Sequence, residues 1–306
     1  MSEIAFVFAG QGSQTAGMGK DLYDCFDSVK KLYDLSEKTR NLCFSDTAKE
    51  ELGLTVNTQP ALFLTDLACA TALSEKGIVA DGAAGFSLGE IPAAAYAGLF
   101  SDTEAAFRFV EHRAKTMQSC AEKNAGAMFA VLKLSSEDVE RLCGNLSRAY
   151  PVNYNAPGQT VVACAESVAD ELQSAVKDSG GKAIKLKVSG AFHSPFMTQA
   201  AEEMATFLKQ ESVSLNNETR IPLYANRTAE TYNSADAKML LSSQIDHPVL
   251  WQKTIENMIS DGFGTFIEIG PGKTLSGLIA KINPDVKVYN VSDMKSLNAV
   301  TEEINA

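Results

Sequence analysis

Ile4 to Phe8 form an apolar run that ends in the glycine-rich stretch Gly10-Gln11-Gly12-Ser13-Gln14, a pattern that predicts a short buried strand running into a tight loop. Thr58 and Pro60 then supply a helix start, and Ala61, Leu62, Thr65, Leu67, Ala68 and Leu73 carry an apolar helix toward Gly77. A second strand is predicted from Val79 to Gly85, followed by Phe86-Ser87-Leu88-Gly89-Glu90 and an alanine-rich helix. Such alternation predicts an α/β fold with a mostly parallel sheet covered by helices.

Past Ala125 the rhythm changes. Strand (Ala127 to Leu134), helix (Ser136 to Leu146), strand (Val152 to Asn155), strand (Thr160 to Cys164), helix (Val168 to Lys177) and strand (Ala183 to Val188) follow one another, the βαββαβ order of a ferredoxin-like unit. Ser135, three residues before Asp138, marks a helix start in it, and Gly180-Gly181 a helix stop. The α/β pattern then resumes with a helix from Pro195, a strand from Pro222 to Ala225, a helix after Pro248, a strand from Thr265 to Ile269 and a last helix from Thr274. Residues 1–124 and 190–306 are thus expected to build a large subdomain, with 125–189 inserted as a small one.

At 306 residues the chain is long enough for this two-part arrangement and a large core. No apolar run reaches the roughly 20 residues that span a bilayer, so no membrane role is expected. The start, MSEIAFVFAGQGSQ, has no basic stretch leading into a cleavable apolar segment, which predicts a cytoplasmic protein. Six scattered cysteines with no CxxC pair predict reduced thiols and no metal site. A net charge of −11 argues against nucleic acid as a partner and means that an acidic partner needs a local basic patch.

Gly85-Phe86-Ser87-Leu88-Gly89 is a GxSxG sequence set between a predicted strand and a predicted helix, where a sharp turn holds a serine hydroxyl out beside helix N–H groups. A serine nucleophile needs a base. Of the three histidines, His112 falls at the edge of a helix's apolar face and His247 before Pro248 in a turn, whereas His193 stands where the inserted segment returns to the large one. Arg113 sits in the middle of an apolar helix face with Ala106, Phe109, Val110, Thr116, Met117 and Cys120. A buried guanidinium requires an anion, which is either a protein carboxylate or a bound ligand. Two phosphate-loop lookalikes fail: the first loop lacks a third glycine at Thr15, and Gly270-Pro271-Gly272-Lys273-Thr274 lacks one at Ile267.

With Phe8 to Gln14, Gly85 to Glu90, Arg113 with Met117-Gln118, Ala191-Phe192-His193-Ser194-Pro195-Phe196 and Glu268 to Gly272 in order, the chain resembles the malonyl-CoA:acyl carrier protein transacylases over nearly its whole length. The resemblance implies an α/β-hydrolase-like core with a ferredoxin-like insert. It implies further that Ser87 is acylated, that His193 is its base and that Arg113 holds the substrate's free carboxylate. Backbone N–H groups of Gln11 and Leu88 would form the oxyanion hole, and a main-chain carbonyl at Gln244 would orient the histidine. Met117, Asn155 and Gln159 match stretches near the family's cleft, and Phe192 matches a malonyl-selective pattern, since its ring would crowd an α-methyl branch. The chain departs from the family at Phe86 (usually His), Ala9 (usually Pro) and Ala114 (usually Gly).

The implied activity is ping-pong transfer of malonyl from malonyl-CoA to the phosphopantetheine thiol of acyl carrier protein, in fatty acid biosynthesis, with coenzyme A thioester as substrate and no cofactor. Carrier proteins are acidic, and Lys185 and Lys187, two apart on a predicted strand, point to one face with Lys182 nearby, which is either a basic patch for docking or an ordinary solvated strand face. Two rival readings share some of these residues. A serine hydrolase or thioesterase would use Ser87 and His193 but gives no reason for Arg113, and a catalytically silent binding subunit is hinted at by Phe86 alone.

Overall fold

The computed structural model describes residues 3–188, 190–210 and 213–306. In chain order the elements are β1 (Glu3–Phe8), α1 (Lys20–Cys25), α2 (Asp27–Tyr33), α3 (Glu37–Phe44), α4 (Thr55–Glu75), β2 (Gly82–Gly85), α5 (Glu90–Tyr96) and α6 (Thr103–Lys123). There follow β3 (Gly126–Leu132), α7 (Ser136–Gly144), β4 (Ala149–Ala156), β5 (Gln159–Ala165), α8 (Ala169–Asp178) and β6 (Lys182–Lys185). The chain continues through α9 (Thr198–Phe207), α10 (Ala237–Ser243), α11 (Trp251–Ser260), β7 (Phe263–Ile269), α12 (Thr274–Ile282), β8 (Lys287–Val291) and α13 (Met294–Asn305).

Two sheets organise these elements into an α/β fold. The first is parallel, in the order β2-β1-β7-β8. Both of its faces are covered, which is why β1 is apolar without alternation: Phe6 and Phe8 join one core cluster, and Ala5 and Val7 the other, with Trp251 and Ile255 of α11 and Ile279 of α12. The second sheet is antiparallel, in the order β4-β5-β3-β6, with α7 and α8 packed on one face through Val139, Cys143, Leu172 and Val176. Ser135 caps α7 by accepting the Asp138 N–H, and Gly180 takes φ +82 where α8 stops. Among the described residues no helix is long and apolar enough to cross a membrane.

Several expected boundaries move. α4 begins at Thr55, not at Thr58; Pro60 lies inside it, one turn in, so the only carbonyl it deprives of an N–H is that of Val56 in the first turn. The second strand starts at Gly82, and Val79 is exposed, because the chain joins β1 only at Asp81, whose carboxylate and N–H both bond the Ile4 backbone. Pro222 to Ala225 is no full strand. It makes one parallel bridge, Ala83 to Leu223, and then turns back through Ala225 and Glu230, which brings Asn226 beneath Ser87. The helix from Thr274 is followed by β8 and α13, the latter opened by a capping box between Asp293 and Ser296. β6 ends at Lys185 and not at Val188, and Ser189, the expected last residue of the insert, lies outside the described residues.

The strand-to-helix turn after β2 is packed backbone against backbone. A Cβ on Gly85 would stand 2.0 Å from the Gly89 carbonyl carbon, and one on Gly89 2.1 Å from the Phe8 oxygen. No flexible side chain can give way there. Gly85→Ala and Gly89→Ala are therefore expected each to lose about 3 kcal/mol in urea unfolding. Gly144→Ala, at the end of α7 with open space around it, should be neutral or slightly stabilising.

Candidate active site

Ser87 opens a 3₁₀ turn, Ser87–Gly89, between β2 and α5, with φ 54, a left-handed conformation that costs a non-glycine residue about 1–2 kcal/mol. Hydrogen bonds on both sides of the residue hold it there. Its N–H donates to Asn226 Oδ1 at 2.7 Å, its carbonyl accepts from Gln244 Nε2 at 2.5 Å, and Asn226 Nδ2 donates to the Gly85 carbonyl at 2.6 Å. The strained turn points the hydroxyl at His193, and Ser87 Oγ lies 2.6 Å from Nε2.

His193 is itself left-handed (φ 60), follows Ala191-Phe192 and precedes the Ser194-capped turn Pro195–Met197, and its N–H is anchored on the Ile245 carbonyl at 2.9 Å. Its Nδ1 lies 2.9 Å from the Gln244 main-chain oxygen. A carbonyl only accepts, so the ring proton belongs on Nδ1 and Nε2 presents its lone pair to the serine. Burial, then the Arg113 charge, pushes the imidazole down to about 4, with the bonds to main-chain carbonyls acting the other way. At neutral pH the ring is therefore an unprotonated base.

Arg113 is fully buried in α6, among the apolar neighbours its helical position predicts. Its Nη1 donates to Gln59 Oε1 at 2.7 Å and its Nη2 to Gln244 Oε1 at 2.6 Å; Nε has no partner among the described residues. Both bonded partners are thus neutral amides. The nearest compensating charge is Glu90, one amide further away: Gln244 Nε2 also donates to Glu90 Oε2 at 2.7 Å. Burial lowers the guanidinium to about 10, opposed by Glu90, so it stays cationic at pH 7.

A cavity of about 300 Å³ opens over Ser87 and His193, between the two sheets. Gln11, Phe86, Met117, Asn155 and Phe192 line it, as do Gln59, Asn153, Leu186 and Val188. Arg113 stands behind Gln59, off the cavity wall. The Gln11 loop reaches the nucleophile because Gly10 lets it sit on the Phe86 carbonyl, where a Cβ would come within 2.5 Å. Leu88, the residue after the nucleophile, is buried beneath the turn. Phe86, where the family usually has His, packs edge-on against Trp251 at 5.5 Å between ring centroids. Asn153 and Asn155 each hold a buried Oδ1 with no partner among the described residues.

Other expected residues lie elsewhere. Gln159, at the start of β5 beside the hairpin turn, accepts from Lys281 Nζ at 3.0 Å and does not line the cavity. Lys185 is paired with Glu166 at 2.5 Å, and Lys187 lies beyond the end of β6, so these two do not share one strand face; all three lysines are exposed. His112 stacks on Phe207 at 3.9 Å, and the His247 ring bonds Asp246 at 2.6 Å; neither side chain lines the cavity over Ser87.

Sequence reasoning passed over Gln59, Asn226 and Glu90. Only Glu90 had a visible signal, as the acid beside the GxSxG sequence. Among the described residues no group of three or more His, Cys, Asp or Glu side chains could hold a metal ion. A larger depression of about 540 Å³, lined by Asp21, Asp24, Asp46 and Asp293 with Lys20 and Ser292, is polar and shares no lining residue with the cavity over Ser87.

A half-buried serine on a buried imidazole, with a buried guanidinium close by at the foot of a cleft, is a constellation suited to acyl transfer from a substrate bearing an anion. Comparison with known proteins agrees. Residues 5–300 match the acyl transferase domain family. The malonyl CoA-acyl carrier protein transacylase of Bacillus subtilis is 38% identical over 317 residues, covering 99% of this chain and 98% of that one. The crystal structure of the Clostridium perfringens malonyl CoA-acyl carrier protein transacylase superposes with a TM-score of 0.94 at 36% identity, covering 99% of this chain and 98% of that one. A malonyl-transacylase solved in complex with its type II PKS acyl-carrier protein superposes with a TM-score of 0.92 at 34% identity, covering 99% of this chain and 100% of that one. The chain belongs to the acyl transferase domain family and, within it, to the malonyl CoA-acyl carrier protein transacylases.

Proposed function

We propose that Ser87 carries the malonyl group, that His193 moves the proton in each half-reaction and that Arg113 holds the malonyl carboxylate. The reaction is transfer of malonyl from malonyl-CoA to the phosphopantetheine thiol of acyl carrier protein, by ping-pong exchange through an acyl-serine. Coenzyme A thioester is a substrate here, and the chemistry calls for no cofactor. The observation that carries the residue roles is the hydroxyl–imidazole pair at 2.6 Å next to a buried cation whose bonded partners are both neutral.

This geometry supports each step of the reading. His193 Nε2 takes the Ser87 proton as the oxygen attacks the thioester carbonyl, and returns it to the departing thiolate. Backbone N–H groups of Gln11 and Leu88 receive the developing oxyanion, supported by the contact of the Gln11 loop with the nucleophile turn. The malonyl carboxylate displaces the Gln59 amide oxygen from Arg113, because it brings a full opposite charge, and a second oxygen for bidentate pairing, to a cation whose bonded partners are neutral amides. A substrate with no carboxylate cannot make that exchange.

The architecture fits an α/β-hydrolase-like core, 1–124 and 190–306, with 125–189 inserted as a ferredoxin-like subdomain. Supporting this are the parallel sheet with its nucleophile turn after β2 and the antiparallel order β4-β5-β3-β6 in the insert. The free cysteines support a reducing, cytoplasmic setting. Exposed Lys182 and Lys187 serve the acidic carrier, and Lys185 is engaged by Glu166.

Brief exposure to malonyl-CoA should add a malonyl mass to the intact protein, and the adduct should be lost in Ser87→Ala. Steady release of coenzyme A without any adduct would instead identify a hydrolase. Phe192 walls the cavity with its ring 6% exposed, so Phe192→Ala should raise kcat/KM for methylmalonyl-CoA relative to malonyl-CoA about 10-fold. Equal use of both thioesters by the unaltered enzyme would show that the ring is not the selector.

A further inference from the structure

Glu90 is a carboxyl group buried to 1% exposure in the floor of the site, where the reaction as derived above gives it nothing to do. Burying a carboxylate costs several kcal/mol unless its oxygens are satisfied. Here they are. Oε1 accepts from the Tyr232 hydroxyl at 2.5 Å and the Asn226 N–H at 3.3 Å, and Oε2 from Gln244 Nε2 at 2.7 Å. Two of those three donors belong to the residues that grip Ser87, Asn226 on its N–H and Gln244 on its carbonyl.

Gln244 shows why the charge matters. A guanidinium only donates and a carboxylate only accepts. With Arg113 at its Oε1 and Glu90 at its Nε2, the amide has one permitted orientation, since a flip would set donor against donor at Arg113 and acceptor against acceptor at Glu90. The permitted orientation is the one that donates to the Ser87 carbonyl, and the main chain of Gln244 orients His193. The same amide keeps the two charges from pairing directly. Glu90 thereby offsets the burial of Arg113 without occupying the nitrogens that a substrate carboxylate needs.

We propose that Glu90 is a positioning residue for the nucleophile: its anionic carboxylate locks Asn226 and Gln244 onto the two sides of the Ser87 backbone and serves Arg113 as an insulated counter-ion. This rests on the assignment of Ser87, His193 and Arg113 given above. The charged and titratable groups facing Glu90 are Arg113 from α6 and Tyr232 from the segment after Asn226, with His193 one residue further through Gln244. Burial raises the carboxyl to about 7, while the bonds from Tyr232, Gln244 and Asn226 and the Arg113 charge favour the anion. The Asn226 N–H and Gln244 Nε2 can only donate, so a protonated Glu90 must give its proton to the Tyr232 hydroxyl, which turns from donor to acceptor, and the bonds that the clamp makes to Glu90 lose their ionic strengthening.

Acylation of Ser87 should accordingly decline as pH falls through about 7, well above the protonation of His193 near 4. Single-turnover acylation by malonyl-CoA, followed by intact mass across pH 5–9, tests this in the full-length enzyme. In Glu90→Gln the rate at pH 8 is expected to fall at least 10-fold, the half-saturating malonyl-CoA concentration to change less than 3-fold, and the limb near pH 7 to disappear. Tyr232→Phe removes one bond that favours the anion, so its limb should move to higher pH, and this variant carries the test if Glu90→Gln does not fold.

A Glu90→Gln rate within twofold of the parent overturns the inference. So does a slower rate with the limb unmoved, which would mean that Glu90 only supports the fold, and so does a Tyr232→Phe limb that stays in place. Complete absence of a Ser87 adduct in the unaltered enzyme would be a different failure, that of the underlying assignment.

Discussion

Gln244 is the side chain on which the site depends. It touches the two buried charges and the strained Ser87 peptide at once, and its main chain holds the His193 ring. Burying a cation and a carboxylate separately would cost several kcal/mol each, more than the stability margin of many domains can absorb. A neutral amide between them spreads the compensation. Neither charge is stranded, and neither is neutralised by direct contact.

The rest of the architecture brings these groups to one place. Five non-glycine residues among those described have positive φ, and Ser87, His193 and Ala229, in the turn that presents Asn226, are three of them. Strain is concentrated around the Ser87–His193 pair, and the surrounding fold holds it there. The parallel sheet delivers β2 into the Ser87 turn, α6 delivers Arg113, and the return of the chain from the antiparallel sheet delivers His193. Elements distant in sequence therefore meet at one cleft, with the small sheet and residues Leu186 and Val188 forming its other wall.

Local signals made much of this legible in advance. Ser87 could be read because a GxSxG turn needs glycines where backbones touch, and Arg113 because a cation on an apolar stripe contradicts helical periodicity. The βαββαβ order was readable from alternation and caps. What escaped were features set by tertiary contact: the bridge at Leu223 in place of a strand, the reach of β8 and α13 past Thr274, and Lys185 turning to Glu166. Gln59 and Asn226 escaped for the same reason. A neutral amide carries no sequence signature until the charge or peptide it serves is placed beside it.

The central claim is that the site reserves a buried positive charge for the substrate's carboxylate. The direct measurement is the ratio of kcat/KM for malonyl-CoA to that for acetyl-CoA, in the unaltered enzyme and in Arg113→Ala. Loss of a buried charge-assisted pair, worth about 3–5 kcal/mol, predicts that the ratio collapses at least 100-fold, almost wholly through malonyl-CoA. A ratio unchanged by the substitution would contradict the account and reduce Arg113 to an internal structural cation.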